Sequence, residues 1–319
     1  MNKNQEIILA VDVSSNNLEA FISDGKSVLL RKEFQNNKSG CSSLIRTSQK
    51  YKVSRCALEA TGGYEQLITE YFYKSKITVN ILNPARVRRY AQGIGVLAKT
   101  DRIDSYVIER YAREVKPKSN FESSKSQLML KRLVTRRNSL KNMIVAEKNR
   151  KRIADKVISK SIDRVTKLLE KEVVEIDKTI NNILKTDIEL QNKVNALTVQ
   201  KGVGKITACC LVGLMPELGY LNNKQVASLS GLAPFSRDSG KMKGKRYIQA
   251  GRFLVRKSLY MPAWVSVMYD HKMKNIYNRL TDRGKPPKVA IVAVMRKMII
   301  TANMNMKLYY KNLKKTVDF

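Results

Sequence analysis

No glycine or proline occurs between Pro117 and Gly202. Both residue types interrupt helices, glycine through its backbone freedom and proline through its missing N–H group. This stretch therefore predicts long, uninterrupted helices. In its second half, apolar residues recur at steps of three and four, at Ile158, Ile162, Val165, Leu169, Val173, Ile176, Ile180 and Ile183. The spacing predicts one continuous apolar stripe, which suits either an intramolecular helical hairpin or a dimer seam.

The first half of the helical middle is strongly basic. Residues 125–160 carry twelve lysines and arginines, opposed only by Glu147 and Asp155. The whole chain has 61 basic and 27 acidic residues, a formal net charge of +34. Nucleic-acid phosphate is the commonest partner for such an excess, ahead of a membrane surface or solvent alone. We therefore predict that this helix contacts nucleic acid through Arg132, Arg136, Arg137 and Lys141.

The first hundred residues have a different pattern, in which short strand signals alternate with turns and helices. Apolar runs at 7–13, 18–23 and 27–34, separated by polar turns, predict a meander of three strands. Two further strand signals, at 55–60 and 77–82, alternate with helical segments, one of them at 64–74. This order predicts an α/β domain with a mixed sheet. Glycine and proline return at Gly202 and open a second compact region, which we expect to consist mainly of short helices.

Four acidic residues stand at positions that need an explanation. Asp12 and Glu59 lie at the ends of two apolar strand segments, where a carboxylate is costly unless it is paired or binds a cation. Asp101 and Asp104 are three residues apart, so that a helix capped by Thr100 would place both on one side. Four hard oxygen donors suit two Mg²⁺ ions in phosphoryl transfer. The alternative is structural: the spaced pair binds Lys99 and Arg102, and Glu59 caps a turn.

Other site chemistries find little support. The four cysteines show no CxxC spacing and His271 is the only histidine, which disfavours a zinc site or a histidine base. We expect the cysteines to be reduced and mostly buried. No apolar run of about 18 residues predicts a membrane span, and the first residues lack a signal peptide's apolar region. These features predict a cytoplasmic protein.

Two segments of the second region could contact or attack a phosphate group. Gly202-Val203-Gly204 between two helical segments resembles a helix-hairpin-helix, whose turn offers backbone N–H groups to a phosphate. Ser239 precedes a glycine in a polar loop followed by the cations Lys241, Lys243 and Arg246. Such cations could neutralise a phosphate under attack by the serine. A structural turn and an ordinary loop serine remain open alternatives.

The motifs VDVSSNN, ALEATGGYE, NPARVRRYAQGIGVLAKTDRIDS, QKGVGKITA, ASLSGLAPFSRDSGK and GKPPKVAIVAVMRKM occur in this order. Together they resemble the bacterial insertion-sequence transposases of the IS-one-ten type, relatives of the Piv DNA invertase. The resemblance implies an RNase H/RuvC-like N-terminal domain whose DEDD carboxylates, here Asp12, Glu59, Asp101 and Asp104, bind Mg²⁺. It also implies a C-terminal domain in which Ser239 attacks DNA and holds the cut end as a phosphoserine ester. Arg256 matches an arginine of that domain, and we predict that it binds nucleic acid together with Lys241, Lys243 and Arg246.

The resemblance further implies a structured bridge RNA that pairs with donor and target DNA, and assembly as dimers or tetramers. We therefore expect an RNA-guided DNA recombinase at the bacterial nucleoid. The predicted domains are 1–118 (RuvC-like), 119–195 (long helices of coiled-coil type) and 196–319 (mainly α). The alternatives are a Holliday-junction resolvase that uses water, and a non-catalytic nucleic-acid-binding protein.

Overall fold

The computed structural model describes residues 6–98, 100–117, 124–236, 238–240, 242, 244 and 246–317, without the side chains of 101, 102 and 314–317. Contacts divide the chain into two compact units, Met1–Glu122 and Ser123–Phe319. Each unit has hydrophobic clusters of its own. The helices of the middle region pack within the second unit. The three-part division at residues 118 and 195 stays a prediction.

A five-stranded mixed sheet forms the centre of the first unit. Its strands are β1 (Ile8–Val13), β2 (Asn17–Ser23), β3 (Val28–Gln35), β4 (Arg55–Glu59) and β5 (Thr78–Leu82). Its helices are α1 (Lys38–Lys50), α2 (Gln66–Lys74), α3 (Pro84–Gly93) and α4 (Asp101–Val115). The strand order is β3-β2-β1-β4-β5, in which the first three strands are antiparallel neighbours and β4 and β5 continue parallel to β1. The predicted meander followed by alternating helices and strands, and with it the mixed-sheet α/β fold, is confirmed.

The sheet buries both of its faces because helices cover each side. Successive side chains of a strand point to opposite faces. Val11 therefore joins Phe72 of α2 in one cluster, while Ala10 joins Ile108 of α4 in the other. This alternation decides which face each acidic residue of the strands occupies.

The described residues of the second unit form helices, their connecting loops and one small pair of strands. Its helices are α5 (Lys125–Lys151), α6 (Lys156–Thr186), α7 (Ile188–Thr198), α8 (Lys205–Leu214), α9 (Asn223–Leu229), α10 (Phe253–Ser258), α11 (Tyr260–Tyr269), α12 (His271–Thr281) and α13 (Pro287–Val317). The strands are β6 (Pro234–Phe235) and β7 (Tyr247–Ile248). The predicted long helices of the middle and the mainly helical C-terminal region are both confirmed.

Helices α5 and α6 form an antiparallel hairpin along the predicted apolar stripe. Leu140 and Ile144 of α5 pack against Val173 of α6. The hairpin turn ends where the Asp155 carboxylate accepts hydrogen bonds, each 2.9 Å long, from two N–H groups at the start of α6. The intramolecular hairpin is thus present in the fold. Near its tip, Ile158 remains 52% exposed.

Helix α13 corrects the expectation of short helices near the C-terminus, since it spans 31 residues. It is long because apolar residues recur along it without an interrupting glycine or proline, and Ile291, Val294 and Met298 lie in the core of the second unit. Among the described residues, only its segment Pro287–Leu313 is long and apolar enough to cross a membrane. Half of that segment is buried inside the unit, as in a core helix of a globular protein.

Candidate active site

Asp12 and Glu59 are neighbours on adjacent strands of the sheet. Strands β1 and β4 run parallel, and Val11 pairs with Leu58. Asp12 and Glu59 are the next residues of the two strands. Because side chains alternate, both carboxylates lie on the face that α4 covers, opposite to Val11 and Leu58. Both residues are half-buried. The structure therefore brings these two predicted residues together.

Two further acidic residues extend this pair across the sheet. Glu19 of β2 is directly opposite Asp12, and Glu33 of β3 is directly opposite Glu19. Their strand neighbours Leu18, Ala20 and Phe34 pack on the other face, so Glu19 and Glu33 share the face of Asp12 and Glu59. We call Glu33, Glu19, Asp12 and Glu59 the carboxylate row. Sequence reasoning missed two of its members because a position in the row depends on strand pairing.

Like charges directly opposite one another destabilise a sheet. Adjacent strands are only about 4.8 Å apart, so the row concentrates negative charge over four strands. The chain is otherwise strongly basic. The row therefore places like charges on neighbouring strands of one sheet face.

Asp104 approaches the row from helix α4. Thr100 caps this helix, as predicted, by accepting a hydrogen bond from the N–H of Ile103 at 3.3 Å. One turn beyond Asp104, Val107 and Ile108 pack onto the sheet face that carries the row. A cavity of about 240 Å³ is lined by both Glu59 and Asp104. Three of the four predicted acids are thus placed on one side of the sheet. Asp101 starts the same helix, but its side chain lies outside the described part of the structure.

The cavity also contains a positive charge. Arg88 of α3 lines it together with Glu59 and Asp104. The Arg88 guanidinium donates a hydrogen bond from Nη2 to the backbone carbonyl of Leu97 at 2.8 Å, so it is held by a neutral acceptor. A cation in this position can balance carboxylates or contact a phosphate group.

The loops that follow β1 and β4 are held by two polar side chains that the sequence analysis did not single out. The Asn36 amide donates from Nδ2 to the carbonyls of Ser14, at 2.9 Å, and Tyr64, at 3.1 Å. It thereby links the loop after Asp12 to the loop after Glu59.

In the second of these loops, one carboxylate oxygen of Glu65 accepts three hydrogen bonds. The donors are the backbone N–H and the hydroxyl of Thr61, each at 3.1 Å, and the N–H of Gly63 at 2.8 Å. Gly62 and Gly63 have positive φ angles of 77° and 133°, which favour glycine. The segment from Thr61 to Glu65 is therefore a fixed turn close after Glu59.

The donor set of this site fits a hard divalent cation such as Mg²⁺, because all of its predicted ligands are carboxylates. Within the described residues, no three or more His, Cys, Asp and Glu side chains form a group that could hold a metal ion. The side chain of the fourth predicted ligand, Asp101, is not among these described residues. Cys56 of β4 is no ligand: it packs on the opposite face of the sheet, and burial raises the pKa of its thiol well above the usual value.

Ser239 lies in the second unit, in the segment between β6 and β7. The two strands pair antiparallel, with Phe235 opposite Tyr247. Further along, Ser239 and Met242 exchange backbone hydrogen bonds of 3.1 and 2.9 Å across a tight turn. We call residues 234–248 the arm. Ser239 is exposed. The structure therefore presents this serine to solvent.

The predicted cations around Ser239 have different surroundings. Arg246 lies 3.9 Å from the carboxylate of Asp238, and both side chains are exposed. Arg256 lies on α10 and donates to the backbone carbonyls of Gly231 and Ala250, at 3.2 and 2.9 Å. It therefore also holds the base of the arm. Lys241 and Lys243 lie outside the described residues.

The predicted cations of α5 differ from one another as well. Arg137 donates to both carboxylate oxygens of Asp177 on α6, at 2.6 and 3.1 Å, and so joins the two helices. Arg132, Arg136 and Lys141 are exposed. Arg136 has no ion-pair partner within the part of the chain that the structure describes. Arg136 is therefore available to a phosphate, whereas Arg137 is engaged within the protein.

The predicted helix-hairpin-helix glycines also have separate roles. Gly202 has a φ of 86°, and a Cβ atom there would meet the Pro262 carbonyl oxygen at 2.6 Å. A residue without a side chain is thus needed at position 202 for packing against α11. Gly204 precedes α8 in open space, with no side-chain cap on that helix.

Two transposase family models match the chain. One, a DEDD transposase model of the IS110 type, matches residues 9–154, and the other, described as "Transposase IS116/IS110/IS902 family", matches residues 194–278. The chain is 26% identical over 301 residues to a pilin gene-inverting protein of Moraxella bovis. It is 25% identical to the pilin gene-inverting protein of Moraxella lacunata, and both alignments cover 91% of this chain and 92% of the relative.

Among solved structures, the chain is similar to Thermus thermophilus RuvC in complex with a Holliday junction substrate. The match covers 36% of this chain and 99% of that chain, with 11% identity and a TM-score of 0.29. The two family models together include the carboxylate row, Asp104 and Ser239, and they extend over both compact units. The chain is therefore an IS110-type transposase and an enzyme of the DNA transposase and recombinase class.

Proposed function

We propose that this transposase cuts and rejoins DNA strands with two groups of residues. The carboxylates of Asp12, Glu59, Asp101 and Asp104 would hold divalent metal ions, and Ser239 would be the nucleophile. The observation that carries the proposal is the placement of Asp12 and Glu59 side by side on the sheet face where Asp104 joins Glu59 at one cavity. This supports a shared role for carboxylates that are far apart in the sequence.

The reaction proceeds by exchange of phosphate esters. The Ser239 oxygen attacks phosphorus, forming a phosphoserine ester while one P–O bond of the DNA backbone breaks. The serine proton ends on the departing hydroxyl group. When the hydroxyl of another strand attacks the phosphoserine, the serine is released and a phosphodiester forms again. Each step exchanges one ester for another, so rejoining requires no nucleotide cofactor.

Two bound Mg²⁺ ions would supply charge neutralisation at the phosphate and stabilise its attacking and leaving oxygens. The protein's own residues would position the carboxylates that hold these ions. The sheet register orients Asp12 and Glu59, while Asn36 and Glu65 fix the loops that follow them. On the second unit, the exposed turn of the arm gives Ser239 access to a backbone phosphate.

A covalent adduct tests the nucleophile. The protein, with the RNA that copurifies with it, is incubated with Mg²⁺ and labelled DNA from both flanks of its own gene. We expect an adduct that survives denaturing electrophoresis, and its loss in Ser239→Ala. The matched control is Ser236→Ala, an exposed serine of the same arm, which keeps the adduct.

Two other outcomes would replace the proposal. Full cutting by Ser239→Ala, without an adduct in the wild type, would mean hydrolysis by water, as expected of a resolvase. If Asp12→Asn and Glu59→Gln leave cutting unchanged, the chain binds nucleic acid without using these carboxylates for catalysis.

The proposed partners are donor and target DNA, a structured guide RNA, and further copies of this chain in a dimer or tetramer at the bacterial nucleoid. The exposed cations of α5 and the charge of +34 support a nucleic-acid partner. Sequencing of the copurified RNA tests the guide. Its segments should pair with the DNA on both sides of the gene, whereas unrelated cellular RNA would contradict guidance.

A further inference from the structure

A second cavity, of about 420 Å³, lies in the second unit at the base of the arm. One side is formed by Ile248 of β7, and the others by α10, α11 and α13. Three large side chains of its lining are exposed: Phe253 by 60%, Tyr260 by 40% and Met261 by 64%. Large apolar side chains that are exposed together usually mark a binding surface.

The same cavity is positively charged. Arg256 and Lys257 line it, and within the described residues its lining includes no acidic side chain. Both cations are held by neutral acceptors: Arg256 by the carbonyls of Gly231 and Ala250, and Lys257 by the Asn142 side chain. Their charges are therefore oriented but not neutralised by these partners. The Arg256 guanidinium also lies 5.5 Å from the centre of the Phe253 ring.

We infer that this cavity binds an unpaired nucleotide, with the base against Phe253 and Tyr260 and the phosphate near Lys257. Aromatic side chains bind single strands by stacking on base faces, and cations follow the backbone. In a duplex the base faces are covered by neighbouring base pairs, so the exposed rings select unpaired nucleotides. The volume lies within the range of small-ligand sites, roughly 300–1,000 Å³.

Charge favours a nucleotide over a second copy of the chain as the occupant. A second copy would bring its own strong excess of positive charge to Arg256 and Lys257. A nucleotide brings the opposite charge and a flat ring in one ligand. The aromatic rings of the cavity match the flat base of a nucleotide, and its cations match the phosphate.

This inference rests on the proposed function and adds an unpaired nucleotide strand as a partner of the second unit. The cavity adjoins β7, the strand that leads back from the turn of Ser239. An unpaired nucleotide held there would keep a separated DNA or RNA strand beside the arm. The cavity would thus select strands that have already left a duplex.

Binding of the full chain to a labelled single-stranded oligonucleotide, and to the duplex of the same sequence, tests the inference. The measurement uses fluorescence anisotropy in EDTA, so no strand is cut. We expect Phe253→Ala and Tyr260→Ala each to weaken single-strand binding by about tenfold and duplex binding by less than about twofold. Phe253→Trp and Tyr260→Phe keep an aromatic ring and should retain affinity. The matched control is Tyr269→Ala, which is 71% exposed at the other end of α11 and does not line the cavity.

Photocrosslinking with a bromouracil-containing strand locates the contact, which should map to residues 253–261. Unchanged single-strand affinity in both alanine variants, or an equal loss in Tyr269→Ala, would overturn the inference. So would a Met261→Glu variant that dissociates an oligomer in sedimentation without weakening single-strand binding, because the cavity would then be an interface between copies. Since the assay requires neither metal nor Ser239, loss of the adduct and loss of this selectivity are separate results.

Discussion

The two compact units hold their candidate reactive side chains in different ways. In the first unit, Asp12 and Glu59 belong to neighbouring strands, and the hydrogen bonds of a five-stranded sheet set their spacing. In the second unit, Ser239 lies in an exposed turn, supported by one pair of two-residue strands and by contacts at their base. The position of the carboxylates is thus a property of the whole sheet, whereas that of Ser239 depends on a few local contacts.

The units also differ in charge. The first unit concentrates carboxylates in one row, which repels phosphate unless a cation is bound. The second unit exposes cations on α5 and in the cavity beside the arm. Under the proposed function, the second unit would capture nucleic acid without metal, and the first unit would act only after a cation has bound. Three predictions test this contrast.

The largest effect should come from the carboxylate row. We expect Asp12→Asn to reduce DNA cutting by on the order of 10³-fold, because a ligand charge is lost where the phosphate must be neutralised. Rates of strand cutting by the wild type and the variant measure this loss.

The same row offers a graded control. Glu19 is one strand from Asp12, and the exposed Glu33 is two strands away, where solvent screens its charge. Glu19→Gln should therefore reduce cutting moderately, and Glu33→Gln should leave it nearly unchanged. Equal losses in all three variants would mean that the row acts through stability or net charge instead of metal binding.

The next effect concerns the base of the arm. Gly251 has a φ of 67°, and a Cβ atom there would collide with the backbone nitrogen of Gly231 and meet the Ser228 carbonyl oxygen at 2.8 Å. We expect Gly251→Ala to lower the free energy of unfolding by about 2 to 4 kcal/mol. Gly240 in the turn after Ser239 also has a positive φ, 54°, but open space around its Cβ position.

Gly240→Ala should therefore cost only about 1 kcal/mol, from backbone strain alone. Chemical denaturation of both variants measures the difference. If they are equally stable, the close approach of Gly251 to Gly231 does not support the arm, and Ser239 is held by some other contact.

Much of the first unit could be predicted from the sequence because its signals are local. The strand signal at 7–13 corresponds to Ile8–Val13, and that at 77–82 to Thr78–Leu82. The Thr100 cap was predictable as well, since capping depends on a few consecutive residues. The sequence placed Asp12 and Glu59 at the ends of two strands, but it did not show that these strands are neighbours.

The remainder depended on contacts between distant segments. Glu19 and Glu33 join the row only through strand register, which no local pattern reveals. Strands β6 and β7 have two residues each and are too short for a periodic signal. The engagement of Arg137 by Asp177 was hidden for the same reason, because its partner is forty residues away in the sequence.

The smallest effects separate these two arginines on α5. Arg136 is exposed, whereas Arg137 makes the ion pair that joins α5 to α6. We expect Arg136→Gln to weaken binding of duplex DNA and to reduce the slope of log K against log salt by about 0.9, the value for one phosphate contact. Its unfolding should stay unchanged. Affinity titrations between low and moderate salt provide the slope.

Arg137→Gln should show the opposite pattern, because it leaves the half-buried Asp177 without its bidentate partner. We expect a loss of about 1 to 2 kcal/mol in the free energy of unfolding, with the salt slope of DNA binding unchanged. A reduced slope with unchanged stability would show that Arg137 breaks its ion pair with Asp177 when nucleic acid binds and contacts a phosphate group instead. In that case the ion pair between α5 and α6 would be a competitor of nucleic acid, and the basic surface of the second unit would be larger than the free chain displays.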